Sequence, residues 1–162
     1  SLDNLGLVPA LEILCAERAE QLQLQVHTSL AAVPLSPSAE LTAFRLVQES
    51  LTNVAKHAQA RQVTVVVASA AQTGMASVEV RDDGAGFDPA RLAQGSHGLV
   101  GMRYRVQAEG GQLLIHSAPG GGTRVQALLP LSVPPARPAP VAQPVDPALD
   151  QPAASGTGQS GS

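Results

Sequence analysis

A chain of 162 residues has the length of one compact domain with a tail, because a core of this size can bury most of its apolar surface. The net charge of -3 and the scattered lysines and arginines argue against a nucleic-acid partner, which requires concentrated positive charge. The single cysteine, Cys15, excludes an internal disulfide, and no apolar run reaches the roughly 20 residues that cross a bilayer. We therefore expect a soluble, cytoplasmic domain.

The first third of the chain predicts a helix, a strand and a second helix. Apolar residues recur at helical spacing between Val8 and Leu22, and apolar and polar residues then alternate as far as Thr28. Pro37 opens the second helix, which has Ser36 as its N-cap and runs to about Ala58.

The rest of the domain predicts four strands and a third helix. Residues 63–69 and 75–81 form strands around a turn at 72–74, and residues 112–117 and 123–129 form a second pair joined by a glycine-rich turn. The third helix begins near Leu99 and closes at Gly110. This order predicts an α+β fold, a two-layer sandwich in which about three helices cover one face of a mixed sheet.

The composition changes sharply after Leu131. Residues 132–162 contain seven of the thirteen prolines and no aromatic residue. Such a segment cannot bury enough apolar surface to offset the entropy lost on ordering. We therefore expect a domain of residues 1–131 and a disordered tail of residues 132–162.

One face of the second helix carries polar side chains suited to a metal and to phosphates. Mg²⁺ takes oxygen ligands and relies on substrate phosphates for the rest, so Asn53 would ligate it directly. Glu49 would bind the metal through water or orient an attacking group, and Lys56 would meet a phosphate as a point charge. His57 shares this face. The same residues also fit a solvent-exposed helical face that has no function, on which Arg45 and Glu49 form a surface ion pair.

The opposite stripe of this helix is apolar and is predicted to pack against the sheet. Its members are Phe44, Val47, Leu51, Val54 and Ala58.

A carboxylate followed by glycines lies at the end of the strand at 75–81. Asp82 would accept a hydrogen bond from an exocyclic amine, and Gly84 and Gly86 would let the backbone approach a flat ligand. Such an acceptor favours adenine over guanine, which presents a carbonyl at the corresponding position. An ordinary Asp/Gly turn has the same composition and remains an alternative.

The entry to the third helix is also rich in glycine. Gly98, Leu99 and Gly101 lie where free N–H groups of a helix start bind anions, so a triphosphate could lie there. Arg103 would add positive charge near the triphosphate, or it would have a structural role only. Further along, Thr123 could hold a bridging water beside the base, although the glycines before it fit a simple hairpin connection.

In this order and spacing, the three segments resemble the N, G1 and G2 boxes of the Bergerat-fold ATPases. That superfamily includes gyrase, a heat-shock chaperone, mismatch-repair ATPases and histidine kinases. Residues 44–58 (FRLVQESLTNVAKHA) look like the N box of the histidine kinases whose response regulators carry a helix-turn-helix output domain. Residues 97–106 (HGLVGMRYRV) are similarly close to their G2 segment. The resemblance covers about residues 2–131.

The resemblance implies a site for ATP and Mg²⁺. By that resemblance Asn53 ligates the metal, Asp82 contacts the adenine amine with Thr123 supporting it through water, and the loop between Asp83 and His97 is the ATP lid. Ser96 stands where many members have a glycine. Four glycines would shape the pocket: Gly84, Gly86, Gly98 and Gly101.

The family's phosphoacceptor motif, a histidine followed by an acidic residue on a dimerisation helix, is absent from the chain. None of the histidines at 27, 57, 97 and 116 has that context, and residues 1–7 resemble the junction that follows the dimerisation helices. We therefore expect a monomeric catalytic domain cut away from its phosphoacceptor. In the full-length sensor kinase it would transfer the γ-phosphoryl group of ATP to a histidine of the dimerisation domain, for relay to a response regulator.

Two other functions fit parts of the pattern. A serine kinase of the anti-sigma-factor type shares the fold and the spacing from Glu49 to Asn53, but the Lys56-His57 pair and the Gly-Met-Arg segment at 101–103 disfavour it. A degenerate module that docks a partner without turnover is disfavoured because Asn53, Asp82 and the glycines are retained.

Overall fold

The computed structural model describes residues 6–58, 60–70, 72–86 and 97–132. Within these residues, the helices and strands follow in the predicted order. The helices are α1 (Leu7–Leu22), α2 (Pro37–Asn53) and α3 (His97–Ala108). The strands are β1 (Gln25–Leu30), β2 (Gln62–Ala70), β3 (Met75–Asp82), β4 (Gln112–Ser117) and β5 (Thr123–Pro130).

The strands form one mixed sheet in the order β1-β2-β3-β5-β4. β1 and β2 run parallel, and the other neighbours pair antiparallel. A parallel pair requires a long crossover, which contains α2, whereas short hairpins are sufficient for β2–β3 and β4–β5. The predicted α+β architecture with a mixed sheet is confirmed.

The helices cover one face of this sheet. Alternate side chains of β2 and β3 are buried, as the period of two requires, and they pack in one cluster with the apolar sides of α1, α2 and α3. The cluster is almost entirely aliphatic. α2 contacts α1, α3, β3 and β5, so its position determines how the helices lie over the centre of the sheet.

The second helix begins and ends where predicted, but its last turn is π-helical. Ser36 caps it, since its hydroxyl accepts the N–H of Ala39 at 3.1 Å. The helical segment reaches Ala58 as predicted, but it is an α-helix only to Asn53, and a π-helical turn, Val54–Ala58, follows. The wider turn changes the spacing of the side chains after Asn53, so a regular helical wheel fails there.

The predicted apolar stripe of α2 is correct at its centre. Val47, Leu51 and Val54 are buried, but Phe44 is only partly buried against the core. Positions outside the predicted stripe are also buried because α2 packs against helices as well as strands: Ala39, Thr42, Ala43, Leu46 and Ser50.

The first strand begins later than its alternating pattern predicts. α1 continues to Leu22, Gln23 adopts the left-handed conformation that ends the helix, and the strand runs from Gln25 to Leu30. Cys15 is buried on α1, and burial raises the pKa of its thiol to about 11. It therefore serves as a small core residue.

Across the described residues, no helix combines the length and the apolar character that crossing a membrane would require. The tail predicted at 132–162 lies outside the described residues from position 133 onward.

Candidate functional site

Asp82 is the last residue of β3 and lies on the helix-covered face of the sheet, in phase with Val78 and Val80. It is 9% exposed, and its carboxylate accepts the N–H of Gly84 at 2.8 Å. Burial raises the pKa of Asp82, and the Asp83 charge adds to this, while N–H groups of Gly84 and Thr123 oppose it. Burial thus destabilises the ionised form of the Asp82 carboxylate. Such a position is unusual for a residue with only a structural role.

Asp83, the next residue, has the opposite environment. Its carboxylate is exposed and accepts the backbone N–H groups of Arg61 at 2.9 Å and Gln62 at 3.0 Å. These bonds lower the pKa of Asp83. An ordinary structural turn therefore accounts for Asp83, which ties the end of β3 to the start of β2, but it does not account for the buried Asp82.

The glycines after Asp82 hold this turn against the β4–β5 hairpin. Gly86 has φ +69°, and a side chain there would collide with the carbonyl oxygen of Ala118. Gly122 has φ +74°, and a side chain there would collide with the carbonyl of Asp82. Both positions require glycine because of conformation and close packing. The backbone around Asp82 is consequently fixed from two sides.

Thr123 lies directly opposite Asp82 in the β3–β5 register. Its hydroxyl is 2.8 Å from that of Ser117, and Ser117 donates to the carbonyl of Gly122 at 3.0 Å. Since Ser117 has one hydroxyl proton, Thr123 is the donor between the two. Sequence reasoning missed Ser117, because its place on the helix-covered face depends on the hairpin register, which composition does not reveal.

The polar face of α2 ends at Asn53. The Nδ2 atom of Asn53 is buried and has no hydrogen-bond partner among the described residues. Lys56 is exposed on the π-helical turn, and the side chain of His57 lies outside the described residues. This end of the site thus has an amide nitrogen with no partner among the described residues and an exposed ammonium group.

Glu49 and Gly98 lie against each other where α2 meets the start of α3. A side chain at Gly98 would collide with the Glu49 carboxylate. The described residues form ion pairs at Glu79 but none between Arg45 and Glu49, so the surface pair considered from the sequence does not form. Glu49 is instead placed at the junction of the two helices.

The remaining candidates on α3 have different surroundings. Leu99 is buried in the core, whereas a side chain at Gly101 would meet no atom of the described residues within 4 Å. Packing therefore does not require glycine at position 101. Arg103 serves the structure in part, because its guanidinium donates to the carbonyl of Leu113 at 3.5 Å. The loop predicted as a lid, including Ser96, lies outside the described residues from 87 to 96.

The candidates lie on neighbouring elements. α2 contacts α3, β3 and β5, and β5 contacts α3 and β3. These elements and the turns that flank them carry every candidate. The described part of the chain contains no group of three or more His, Cys, Asp or Glu side chains able to hold a metal. A metal here would therefore depend on the Asn53 amide and on ligand oxygens.

Comparison with known proteins gives consistent matches over this region. The family described as histidine kinase-, DNA gyrase B- and HSP90-like ATPase matches residues 38–133. The chain is 37% identical over 134 residues to the signal transduction histidine-protein kinase/phosphatase DegS of Brevibacillus brevis, covering 82% of the chain and 34% of DegS. It is 39% identical over 132 residues to the signal transduction histidine-protein kinase/phosphatase UhpB of Salmonella typhimurium, covering 80% of the chain and 25% of UhpB.

A solved structure agrees with these matches. The histidine kinase domain of the blue-light activated histidine kinase EL346 from Erythrobacter litoralis superimposes with a TM-score of 0.62 at 26% identity. The match covers 75% of this chain and 59% of that one. The chain spans about a third of DegS and a quarter of UhpB.

Proposed function

The chain belongs to the family of histidine kinase-, DNA gyrase B- and HSP90-like ATPases, and on this premise we propose that it binds Mg²⁺-ATP as the catalytic domain of a sensor histidine kinase. In the full-length protein it would transfer the γ-phosphoryl group to a histidine of the dimerisation domain, from which a response regulator receives it. The observation that carries the proposal is the buried carboxylate of Asp82.

Asp82 supports the choice of adenine as the base. An ionised carboxylate in a buried position gains most from a ligand that donates a hydrogen bond, and the N6 amine of adenine is such a donor. Guanine would present a carbonyl oxygen to the same atom. A buried acceptor left unpaired costs about 1–3 kcal/mol, so ATP should bind about 10–100 times more tightly than GTP.

Asn53 supports the choice of Mg²⁺ as the metal. Its buried Nδ2 has no partner among the described residues, and rotation of the amide exchanges this nitrogen with the oxygen that a hard cation prefers. When bound, Mg²⁺ would supply positive charge to the phosphate oxygens. Asn53 would hold the metal, and Glu49 would orient the attacking group or an intervening water.

The phosphates would lie between the π-helical turn and the start of α3. Lys56 is exposed there, and the first N–H groups of a helix have no acceptor within the helix itself. Phosphoryl transfer depends on positioning and charge neutralisation, which these groups can supply. Leu99 and the glycines at 98 and 101 would shape the space around the nucleotide, and His57 would approach it from α2.

The histidines of the chain support an acceptor on another domain. His27 lies on β1 and His116 on β4, the two edge strands, and neither is on the helix-covered face that carries Asp82. We therefore place the acceptor histidine on the dimerisation domain, as the resemblance to histidine kinases implies.

Phosphotransfer in trans tests this function. The chain is incubated with Mg²⁺ and γ-labelled ATP, alone and with the dimerisation domain of the same kinase supplied as a separate polypeptide. We expect acid-labile phosphohistidine on the added domain only. Acid-stable phosphoserine on a partner would support the serine kinase instead, and histidine phosphate on the chain alone would contradict the proposed acceptor.

A further inference from the structure

Three polar side chains form a row at the base end of the candidate nucleotide site. Ser117 lies opposite Thr123 in the β4–β5 register, and Thr123 lies opposite Asp82 in the β3–β5 register. Residues opposite one another project from the same face of a sheet, with Cβ atoms about 5 Å apart. All three residues line one cavity of about 500 Å³. The row therefore extends the nucleotide site from Asp82 as far as Ser117.

The hydrogen bonds within this row have one direction. Ser117 donates its hydroxyl proton to the carbonyl oxygen of Gly122 at 3.0 Å, so its oxygen accepts the hydroxyl proton of Thr123 at 2.8 Å. The Thr123 hydroxyl then keeps lone pairs for a ligand but has no proton left to donate. Ser117 thus makes Thr123 a hydrogen-bond acceptor toward the cavity.

The carbonyl at the end of this chain of hydrogen bonds is held in place by packing. Gly122 has φ +74°, and its Cα lies so close to the carbonyl of Asp82 that no side chain fits there. Its own carbonyl oxygen lies against Gly86, where a Cβ atom would be 2.9 Å away. This packing opposes rotation of the Gly122 carbonyl, so Ser117 keeps the acceptor for its proton.

The other side of the row is also an acceptor. The carboxylate of Asp82 accepts the N–H of Gly84 at 2.8 Å, and in its ionised form it has no proton to donate. Asp82 and Thr123 therefore both require donors from a ligand that enters between them, because a buried acceptor without a donor is destabilising. A primary amine on a base supplies two such donors from one nitrogen atom.

We propose that Ser117 is a positioning residue for base recognition, through which the site binds both N6 hydrogens of adenine and so selects a primary exocyclic amine. This inference rests on the proposed function, because it takes adenine as the base at Asp82. One N6 hydrogen would go to Asp82, and the other, directly or through one water, to Thr123. Every group from N6 to the Gly122 carbonyl then donates to the next, and hydrogen bonds aligned in this way strengthen one another.

N6-methyl-ATP tests this selection, since it keeps one N–H group and has a methyl group in place of the other hydrogen. The charge-assisted bond to Asp82 is the stronger of the two and takes the remaining hydrogen, so the methyl group meets Thr123. In calorimetric titrations with Mg²⁺, the unaltered chain should bind ATP about fivefold more tightly than N6-methyl-ATP, the effect of one neutral hydrogen bond. Thr123→Val keeps the shape of the side chain but removes the acceptor, so this preference should fall below about twofold.

Ser117→Ala tests the positioning role. Without Ser117, the Thr123 hydroxyl is free to turn its proton toward the ligand, and the preference for ATP over N6-methyl-ATP should again fall below about twofold. Ser117→Thr keeps a hydroxyl group at this position and should restore the preference. A purely structural role of Ser117 would weaken the binding of both nucleotides equally and leave the preference unchanged, which would contradict the proposal.

Thr64→Val is the matched control, because Thr64 pairs with Arg81 on the face of the sheet away from Asp82. It should keep the fivefold preference. A preference that persists in Thr123→Val would show that the methyl group clashes with the protein, and it would overturn the proposal. Equal binding of ATP and N6-methyl-ATP by the unaltered chain, with ATP still preferred over GTP, would overturn this inference alone. No binding of ATP would overturn the proposed function and this inference together.

Discussion

The two ends of the candidate nucleotide site differ in how far they are complete before a ligand binds. At the base end, Asp82 and Thr123 have partners within the protein, and glycines clamp the turn against a hairpin. At the phosphate end, the Nδ2 atom of Asn53 has no partner among the described residues, and Lys56 is exposed on a π-helical turn. We infer that the base end is preorganised for selectivity, whereas the phosphate end is completed by metal and nucleotide.

The strongest test of the preorganised end is Asp82→Asn. The amide would present a mixed donor and acceptor to adenine, and we expect ATP affinity to fall about 100-fold in a titration. Asp83→Asn is the matched control, because Asp83 is exposed and bonded to the backbone of β2. Asp83→Asn should leave ATP affinity within about twofold of that of the unaltered chain. An equal loss in both variants would contradict a specific role for Asp82.

The same pair of variants should change thermal stability in opposite directions. Burial raises the pKa of Asp82 in the folded protein, so its ionised form is disfavoured on folding above that pKa. Asp82→Asn should therefore raise Tm near pH 7, and this gain should shrink as the pH falls through the raised pKa. The pKa of Asp83 is lowered, so Asp83→Asn should lower Tm near pH 7, with the loss shrinking in acid. Calorimetric scans from pH 3 to pH 7 would measure both.

At the phosphate end, Asn53→Ala should remove the metal dependence of binding. ATP affinity in the presence of Mg²⁺ should fall about tenfold, to the value measured with chelator, because the ligand oxygen is lost. Gln107→Ala removes an exposed amide from α3 and serves as the control. Mg²⁺ that still strengthens ATP binding to Asn53→Ala would refute the assignment of the metal ligand.

The junction between the ends can be tested at Gly98. A methyl group there would displace the Glu49 carboxylate, which is the flexible end of its side chain, so Gly98→Ala should change Tm little and weaken ATP binding a few-fold. In a Glu49→Ala background, Gly98→Ala should cause no further loss of ATP affinity, since the displaced carboxylate is gone. Simple additivity of the two losses in affinity would show that the contact between α2 and α3 is not the cause.

The smallest effect is expected at Thr123. Thr123→Val removes the hydroxyl that donates to Ser117 but keeps the backbone N–H that faces Asp82. ATP affinity should fall about two- to threefold, the size of one neutral hydrogen bond. Ser117→Ala removes the other hydroxyl of this hydrogen bond and should cause a similar loss of ATP affinity. A loss as large as that of Asp82→Asn would mean that Thr123 contacts the base itself.

Local chemistry allowed much of this fold to be predicted. The Ser36 cap, the β4–β5 hairpin and the placement of Asp82 at a strand end all depend on nearby residues, and the structure has each of them. The family and the fold class inferred from the motifs are confirmed by the comparisons.

Other features depend on distant parts of the chain and could not be predicted. The π-helical turn interrupts a segment with good helical periodicity, and the Glu49–Gly98 contact depends on how α2 and α3 cross. The place of Ser117 beside Thr123 depends on the register of the β4–β5 hairpin. The pattern of apolar and polar residues predicts which face of a helix or strand is buried. Tertiary packing determines which other helix or strand that face contacts.

Calorimetric titration with ATP and GTP, each with and without Mg²⁺, tests the central claim most directly. We expect ATP to bind, Mg²⁺ to strengthen the binding, and GTP to bind at least about ten times more weakly because of Asp82. Equal affinity for both nucleotides, or no binding of ATP, would contradict the proposed site.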